Sequence, residues 1–349
     1  MSNDIYEQLA VALDKLPNCF PRTPSNVEIL ILKKIFTLEE ALLASQMRGS
    51  MESASVMAER VGLSAEEAEA RLTKMAKRGL VWTDEQAEKF RLAPFLIGIY
   101  EAQLENLDHE LAHLVEEYFE DGGAAGIMKP QPALHRVIPA QKAVKSEWIL
   151  PYDDVRRILM SAKSFRLRDC ICRVQQDYIG RECSFPVRMC LSFSPHERSP
   201  NPKDISQHEA LDILDKAEEI GLVHTVSNVM KGLGYVCNCC GCCCGILRGV
   251  TKFGIENSVA HANYYAVIDP DSCLGCRTCM DRCQVHAISE HEGVAIVDGN
   301  KCIGCGLCVT GCPNDVAVLR RKPDSEIVDP PADFETWEYK RLLNRGLIE

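Results

Sequence analysis

Long apolar runs are missing from this sequence: the longest, "FLIGIY" at 95–100, falls far short of the roughly 20 residues that span a bilayer. The opening stretch, "MSNDIYEQLAVALDKLPNCF", has neither a cationic region nor a small-residue cleavage site, so no secretory signal is expected and the chain is assigned to the cytoplasm. Positive charge is also short. Fifty acidic residues against 39 basic ones give a net charge of −11, which argues against general affinity for nucleic acid or anionic membrane. Neither G-x-G-x-x-G after a strand nor a P-loop occurs, so a flavin or nicotinamide, if one takes part, belongs to another chain. His208, His224, His261, His286 and His291 show no metal-ligand spacing and are read as structural. The 349 residues suffice for two or three domains, with the 46% apolar and 26% charged fractions of a globular protein.

Cysteine is what this chain has in excess. Eighteen of its nineteen cysteines lie between Cys170 and Cys312, and only Cys19, read as a small buried side chain, lies outside. In a reducing compartment so many thiols are not expected to be disulfides. The run "CNCCGCCCG" at 237–245 places six in eight positions, where neighbours rarely meet disulfide geometry. Bound metal or thiol redox chemistry remains.

Two stretches, "CLGCRTCMDRC" (273–283) and "CIGCGLCVTGCP" (302–313), share the pattern C-x2-C-x2-C-x3-C. The x2 separations wrap a loop around one face of an iron–sulfur cube, and a helical turn then carries the fourth thiolate to a neighbouring cube. Strands are expected at "YYAVID", "GVAIVD" and "VAVLRR". This closely resembles the bacterial 2[4Fe-4S] ferredoxin fold, (βαβ)2. The resemblance implies one cluster on Cys273, Cys276, Cys279 and Cys312, and a second on Cys283, Cys302, Cys305 and Cys308. Pro313 follows Cys312 as that family expects, but Gln284 follows Cys283, a departure expected to shift the potential of the second cluster.

Ten more thiols stand upstream: Cys170, Cys172, Cys183, Cys190, Cys237, Cys239, Cys240, Cys242, Cys243 and Cys244. Their spacing matches no zinc finger and no plant-type ferredoxin. With "C-x-C-R", "C-x2-P-x3-C-L" and "C-N-C-C" ahead of a dicluster ferredoxin, residues 165–315 resemble iron–sulfur proteins of anaerobic prokaryotes. One or two further iron–sulfur clusters rank first for these thiols, ahead of dithiol–disulfide chemistry and of zinc. Gly241 and Gly245 would let the backbone approach a cluster. Arg168, Arg173, Arg181 and Arg188 are either solvated or offset cluster charge.

Before residue 93 the pattern is helices followed by a hairpin. "SNVE" at 25–28 has capping-box form, as do Ser64 and Glu67, and Ala68, Leu72 and Met75 form one inward stripe. This order resembles a winged helix-turn-helix. Its second helix starts with Glu66, Glu67 and Glu69, and its wing, "TDEQAEKF", has three acids against one lysine, so docking of protein or dimerisation ranks above DNA binding. One acidic helix is expected over 94–121.

The expected architecture is α+β: a winged-helix-like domain (1–92), an acidic helix with a Pro-containing linker (93–145), a Cys-rich α/β middle domain (146–262), a ferredoxin domain (263–320) and a docking tail (321–349). The expected function is low-potential electron transfer as a subunit or partner of a larger anaerobic redox enzyme, in a hetero-complex or homodimer, with a flavoprotein or metalloenzyme as redox partner. Whether the chain is itself an enzyme stays open. The alternative is a redox-sensing winged-helix transcription regulator.

Overall fold

The computed structural model describes residues 4–84 and 86–349; the first three residues of the expected signal-free N-terminus and Glu85 of the expected wing lie outside them. The chain divides into two compact units. Unit 1 comprises 1–130, 174–181 and 341–349, and unit 2 the remainder, 131–173 and 182–340.

Unit 1 is mainly helical: α1 (Ile5–Asp14), α2 (Val27–Ile35), α3 (Leu38–Ser45), α4 (Ala54–Val61) and α5 (Ala65–Lys77), with α6 (Tyr100–Ala102), α7 (His109–Tyr118) and α8 (Ala124–Met128) after a small sheet. That sheet joins β1 (Glu52–Ser53), β2 (Val81–Thr83) and β3 (Lys89–Leu92) in the order β1-β3-β2, all antiparallel. Ala68, Leu72 and Met75 are buried on α5 as their spacing requires, and Ser64 caps that helix by accepting from the Glu67 N–H.

Two local expectations fail. The capping box at 25–28 does not form: Asn26 precedes α2 in the left-handed region without a side-chain cap, and the full box belongs to Thr37 and Glu40 at α3. The helix expected over 94–121 is broken, because Leu96 and Ile97 leave helical geometry and Asp108 starts α7 afresh by accepting from the Leu111 N–H. Cys19 is buried, its thiol donating to the Gly126 carbonyl at 3.1 Å.

Unit 2 is built on a seven-stranded sheet of order β10-β4-β8-β9-β6-β5-β7. Its members are β4 (His135–Ile138), β5 (Ser164–Arg168), β6 (Cys190–Ser194), β7 (Asp204–Ile205), β8 (Val223–Ser227), β9 (Tyr235–Cys239) and β10 (Val259–Ala260). Every pairing is antiparallel except β10 with β4. The stretch expected as a linker therefore supplies a strand: all four residues of β4 are buried, between β8 and β10. Helices α9 (Val155–Ser161), α10 (Ile171–Tyr178), α11 (Gln207–Ile220) and α12 (Gly245–Thr251) accompany the sheet, and residues 174–181, the later part of α10 with the three residues after it, group with unit 1. Helix α11 has a complete capping box from Ser206 and Glu209 and buries Ala210, Leu214 and Ala217 on one face.

Unit 2 continues with β11 (Tyr264–Ile268), α13 (Thr278–Asp281), β12 (Ile288–His291), β13 (Val294–Val297), α14 (Leu307–Thr310) and β14 (Ala317–Arg321). Strand β11 pairs with β14, and β12 with β13. The final helix, α15 (Phe334–Asn344), carries Trp337, whose indole N–H donates to the Ala133 carbonyl at 3.0 Å. No helix among the described residues is long and apolar enough to cross a membrane.

Candidate metal centres

The two cysteine runs after β11 repeat in backbone geometry as well as in sequence. Positive φ recurs at Gly275 and Gly304, at Arg277 and Gly306, and at His286 and Asp315, each pair separated by the same interval as 275 and 304. Gly275 and Gly304 precede the second cysteine of each run. A Cβ at Gly275 would overlap the Gly293 carbonyl oxygen, and one at Gly304 the Tyr264 carbonyl oxygen. The loops thus turn left-handedly while pressed on neighbouring backbone, which only glycine permits.

The turn at Gly304 aims thiols inward, whereas Cys276, after Gly275, is exposed. Cys283, Cys302, Cys305 and Cys308 line one cavity of about 340 Å3 including its mouth, walled by Ala266, Val285, Ile288, Val297, Ile303 and Leu307. Burial and the neighbouring Cys302, Cys283 and Cys279 push the Cys308 thiol up to about 12, and burial first of all raises Cys305 and Cys283. Clustered thiols in an apolar wall resist becoming anions unless a cation joins them, and a thiolate-ligated iron–sulfur cluster fits that donor set. The Ala287 N–H donates to the Cys283 sulfur at 3.1 Å, the kind of contact that tunes a cluster's potential. Cys273 and Cys276 lie close enough to Cys279 to raise it, after burial, while Cys312 follows α14 in a half-buried position.

Gln284, in the place where the ferredoxin family has proline, has a structural task. Its side chain accepts from the Gly241 N–H at 2.9 Å and donates to the Gly221 carbonyl at 2.9 Å. Arg282 acts beside it, donating to the Glu218 and Glu219 carbonyls at 2.7 Å each and to the Leu307 carbonyl at 2.8 Å. Carbonyls in the last turn of a helix lack intrahelical partners; here Arg282 of the first cysteine run satisfies that of Glu219 and shares that of Glu218 with the Gly221 N–H. Sequence reasoning found neither role, although the missing proline marked the place.

The ten upstream thiols separate into two groups. Cys183, Cys240, Cys242 and Cys243 place all four sulfurs within 4.8 Å of one another. The other six form a chain, Cys190, Cys237, Cys239, Cys244, Cys172, Cys170, each interacting electrostatically with the next. Strand alternation starts that chain: Cys237 and Cys239 share a face of β9, and the pairing of β6 with β9 brings Cys190 beside Cys237. Interaction with Cys237 and Cys244 holds the Cys239 thiol below its ordinary value, whereas Cys170, Cys172, Cys237 and Cys244 are all raised among neighbouring thiols.

Of the four arginines, Arg173 is the one sunk among thiols. It is 2% exposed, in electrostatic contact with Cys170, Cys240 and Cys239, and it donates to the Pro186 and Asn238 carbonyls at 2.9 and 2.8 Å. Arg181 pairs instead with Glu116 in unit 1, and Arg188 is exposed. Of the histidines, His224 is buried against Asn238 at 2.7 Å.

Paired strands, two left-turning thiol loops and a thiol-lined cavity define an iron–sulfur module. A family model described as a 4Fe-4S dicluster domain matches residues 266–319, so the chain carries a ferredoxin-like domain in its C-terminal part, with iron–sulfur cofactors. No curated protein and no solved structure matches the chain.

Proposed function

We propose that this chain is a low-potential electron-transfer protein of the cytoplasm, working as a subunit or partner of a larger anaerobic redox enzyme whose flavin or metal centre lies on another chain. Its carrying observation is the matched dicluster stretch together with the cavity that gathers Cys283, Cys302, Cys305 and Cys308. Those four hold one [4Fe-4S] cluster, and Cys273, Cys276, Cys279 and Cys312 hold the other. When bound, the clusters supply one-electron exchange at roughly −400 mV. The protein's own residues exclude water with Val285, Ile288 and Leu307, and direct the Ala287 N–H at one sulfur. The six-thiol group from Cys170 to Cys244 holds a further iron–sulfur cluster beside Arg173, whose charge offsets that of the thiolates.

Unit 1 supplies a winged-helix-like docking surface. The order α4, α5, β2, β3 favours one second reading, a redox-sensing transcription regulator. The charges weigh against it: Arg71 is paired with Glu67 at 2.7 Å and Glu39 at 3.5 Å, and Arg78 with Glu40, so these cations have acids as partners before any phosphate arrives. Iron and acid-labile sulfide per chain on oxygen-protected protein, with spectroscopy of the reduced state, test the main reading. Cys305→Ser should remove one cube's iron and sulfide. Iron-free material would end the proposal, and salt-sensitive, sequence-selective DNA binding would reverse the ranking.

A further inference from the structure

The four thiols of Cys183, Cys240, Cys242 and Cys243 are packed too tightly for a cube. Cys183 lies 3.8 Å from Cys240 and 3.7 Å from Cys242, and Cys242 lies 3.6 Å from Cys243, sulfur to sulfur. On a cube each thiolate binds its own iron, so two such sulfurs stand apart by an iron–iron edge and two outward-splayed metal–sulfur bonds. Around a single tetrahedral ion the sulfurs are the corners of one small tetrahedron. With a metal–sulfur bond of about 2.3 Å its edge is about 3.8 Å, which three of the six sulfur pairs match, all six lying within 4.8 Å.

We propose that these four cysteines form a mononuclear tetrahedral zinc site, separate from every iron–sulfur centre of the chain. The donor set is all thiolate and four-coordinate, the closed form of a structural zinc site. At such a site zinc outcompetes ferrous iron in the usual affinity order of divalent metals. Cys240 and Cys243 are buried in an apolar jacket of Met189, Ala217 and Leu222, while Cys242 is exposed and Cys183 half-buried, which leaves an entry path for the ion. Arg173 stands against Cys240 and offsets the net negative charge of zinc with four thiolates.

The site's location gives it a task. Cys240, Cys242 and Cys243 occupy the turn between β9 and α12, and Cys183 the loop between α10 and β6. One ion therefore ties two segments far apart in sequence. The same turn holds Gly241, which accepts from the Thr251 hydroxyl at 3.0 Å and donates to Gln284. Zinc, which has no redox chemistry of its own, would hold in place the loop that abuts the ferredoxin run.

The test uses the full chain, produced without oxygen in medium containing iron and zinc, as wild type and as Cys183→Ser and Cys242→Ser. One zinc per chain is expected in the wild type and none in either variant, with iron and sulfide unchanged, which also shows that the variants fold. Cobalt supplied in place of zinc should give the intense visible bands of a tetrahedral tetrathiolate, absent from both variants. On the wild type alone, a mercurial with a zinc indicator should release one zinc without bleaching the iron chromophore. The proposal is overturned by a zinc-free wild type, or by loss of iron in place of zinc from either variant. Failure of the electron-transfer reading would show in the iron count of the wild type, a separate number.

Discussion

Two regions of unit 2 use the same side chain in opposite ways. After β11 the thiols stand around a space: four line a cavity whose walls are apolar, and left-handed turns keep the backbone out of it. In the turn between β9 and α12, met by Cys183 from the loop before β6, the thiols touch one another, with three sulfur pairs at 3.6–3.8 Å. An x2 spacing followed by a left-handed residue fans sulfurs out over a polynuclear cluster, whereas C-x-C-C in a tight turn draws them onto one point. Crowding of cysteines in a sequence therefore says little about how many metal atoms they hold; the backbone between them decides that.

The strongest way to break this contrast is to spoil the tight turn. A Cβ at Gly241 would overlap the Gln284 carbonyl oxygen, a backbone atom that cannot swing aside. Gly241→Ala should destabilise unit 2 by about 3 kcal/mol or more, as overpacking against backbone does, and release the zinc. Gly275→Ala should spoil the open loop instead, through strain at φ 65° and overlap with the Gly293 carbonyl, and lower iron content while zinc stays. Denaturant midpoints with both metal contents check the pair. If the two substitutions lose the same metals, the two regions are not independent centres.

A smaller effect is expected at the seam. Gln284→Ala removes both side-chain bonds that tie the Gly241 N–H and the Gly221 carbonyl to the ferredoxin run. Leaving two partly buried backbone groups unpaired should cost about 2 kcal/mol. Zinc and iron should both remain at full content, but zinc should pass to a chelator several-fold faster. An unchanged exchange rate would mean that Arg282 alone holds the seam.

The ferredoxin strands and the paired thiol runs were legible because their signals are local: alternation at 264–268 and 317–321, and a fixed spacing written twice. The two thiol groups upstream were not. Cys190 meets Cys237 only because β6 pairs with β9, and Cys183 reaches Cys240 across 57 positions, so strand order rather than spacing sorts the ten sulfurs. Strand β4 was hidden for a related reason. Its four residues lie between prolines in a stretch that reads as a connector, and burial by β8 and β10, which follow much later in the chain, makes it a strand. Over 94–121 the apolar spacing suggested one helix, but Asp108 caps a new start, a local bond that overrides periodicity.

The smallest predicted effect separates the regions by pH. His135 on β4 is buried between Tyr235, whose hydroxyl meets Nε2 at 2.8 Å, and Thr225, whose hydroxyl meets Nδ1 at 3.3 Å and the Cys239 sulfur at 3.4 Å. Burial lowers its pKa to about 4, below the ordinary 6.5. The unfolded chain therefore takes the proton first as pH falls. The stability this neutral ring contributes is complete above about 6.5 and is lost progressively towards 4. Asp153, raised to about 6 by burial against the pull of Arg136, works the other way, since it gains stability on protonation. Comparing the wild type with His135→Gln cancels Asp153, which both share. Between about pH 7.5 and pH 5 the wild type should lose about 1 to 2 kcal/mol more than the variant. Hydrogen exchange gives the loss a location. Amides of β8 and β9, the strands that carry Thr225 and the first thiols, should lose protection in the wild type only, while β11 and β14 keep theirs in both proteins. Equal loss across all four strands would mean that acid opens unit 2 as a whole, and that the thiol-packed region has no stability of its own to distinguish it from the thiol-lined one.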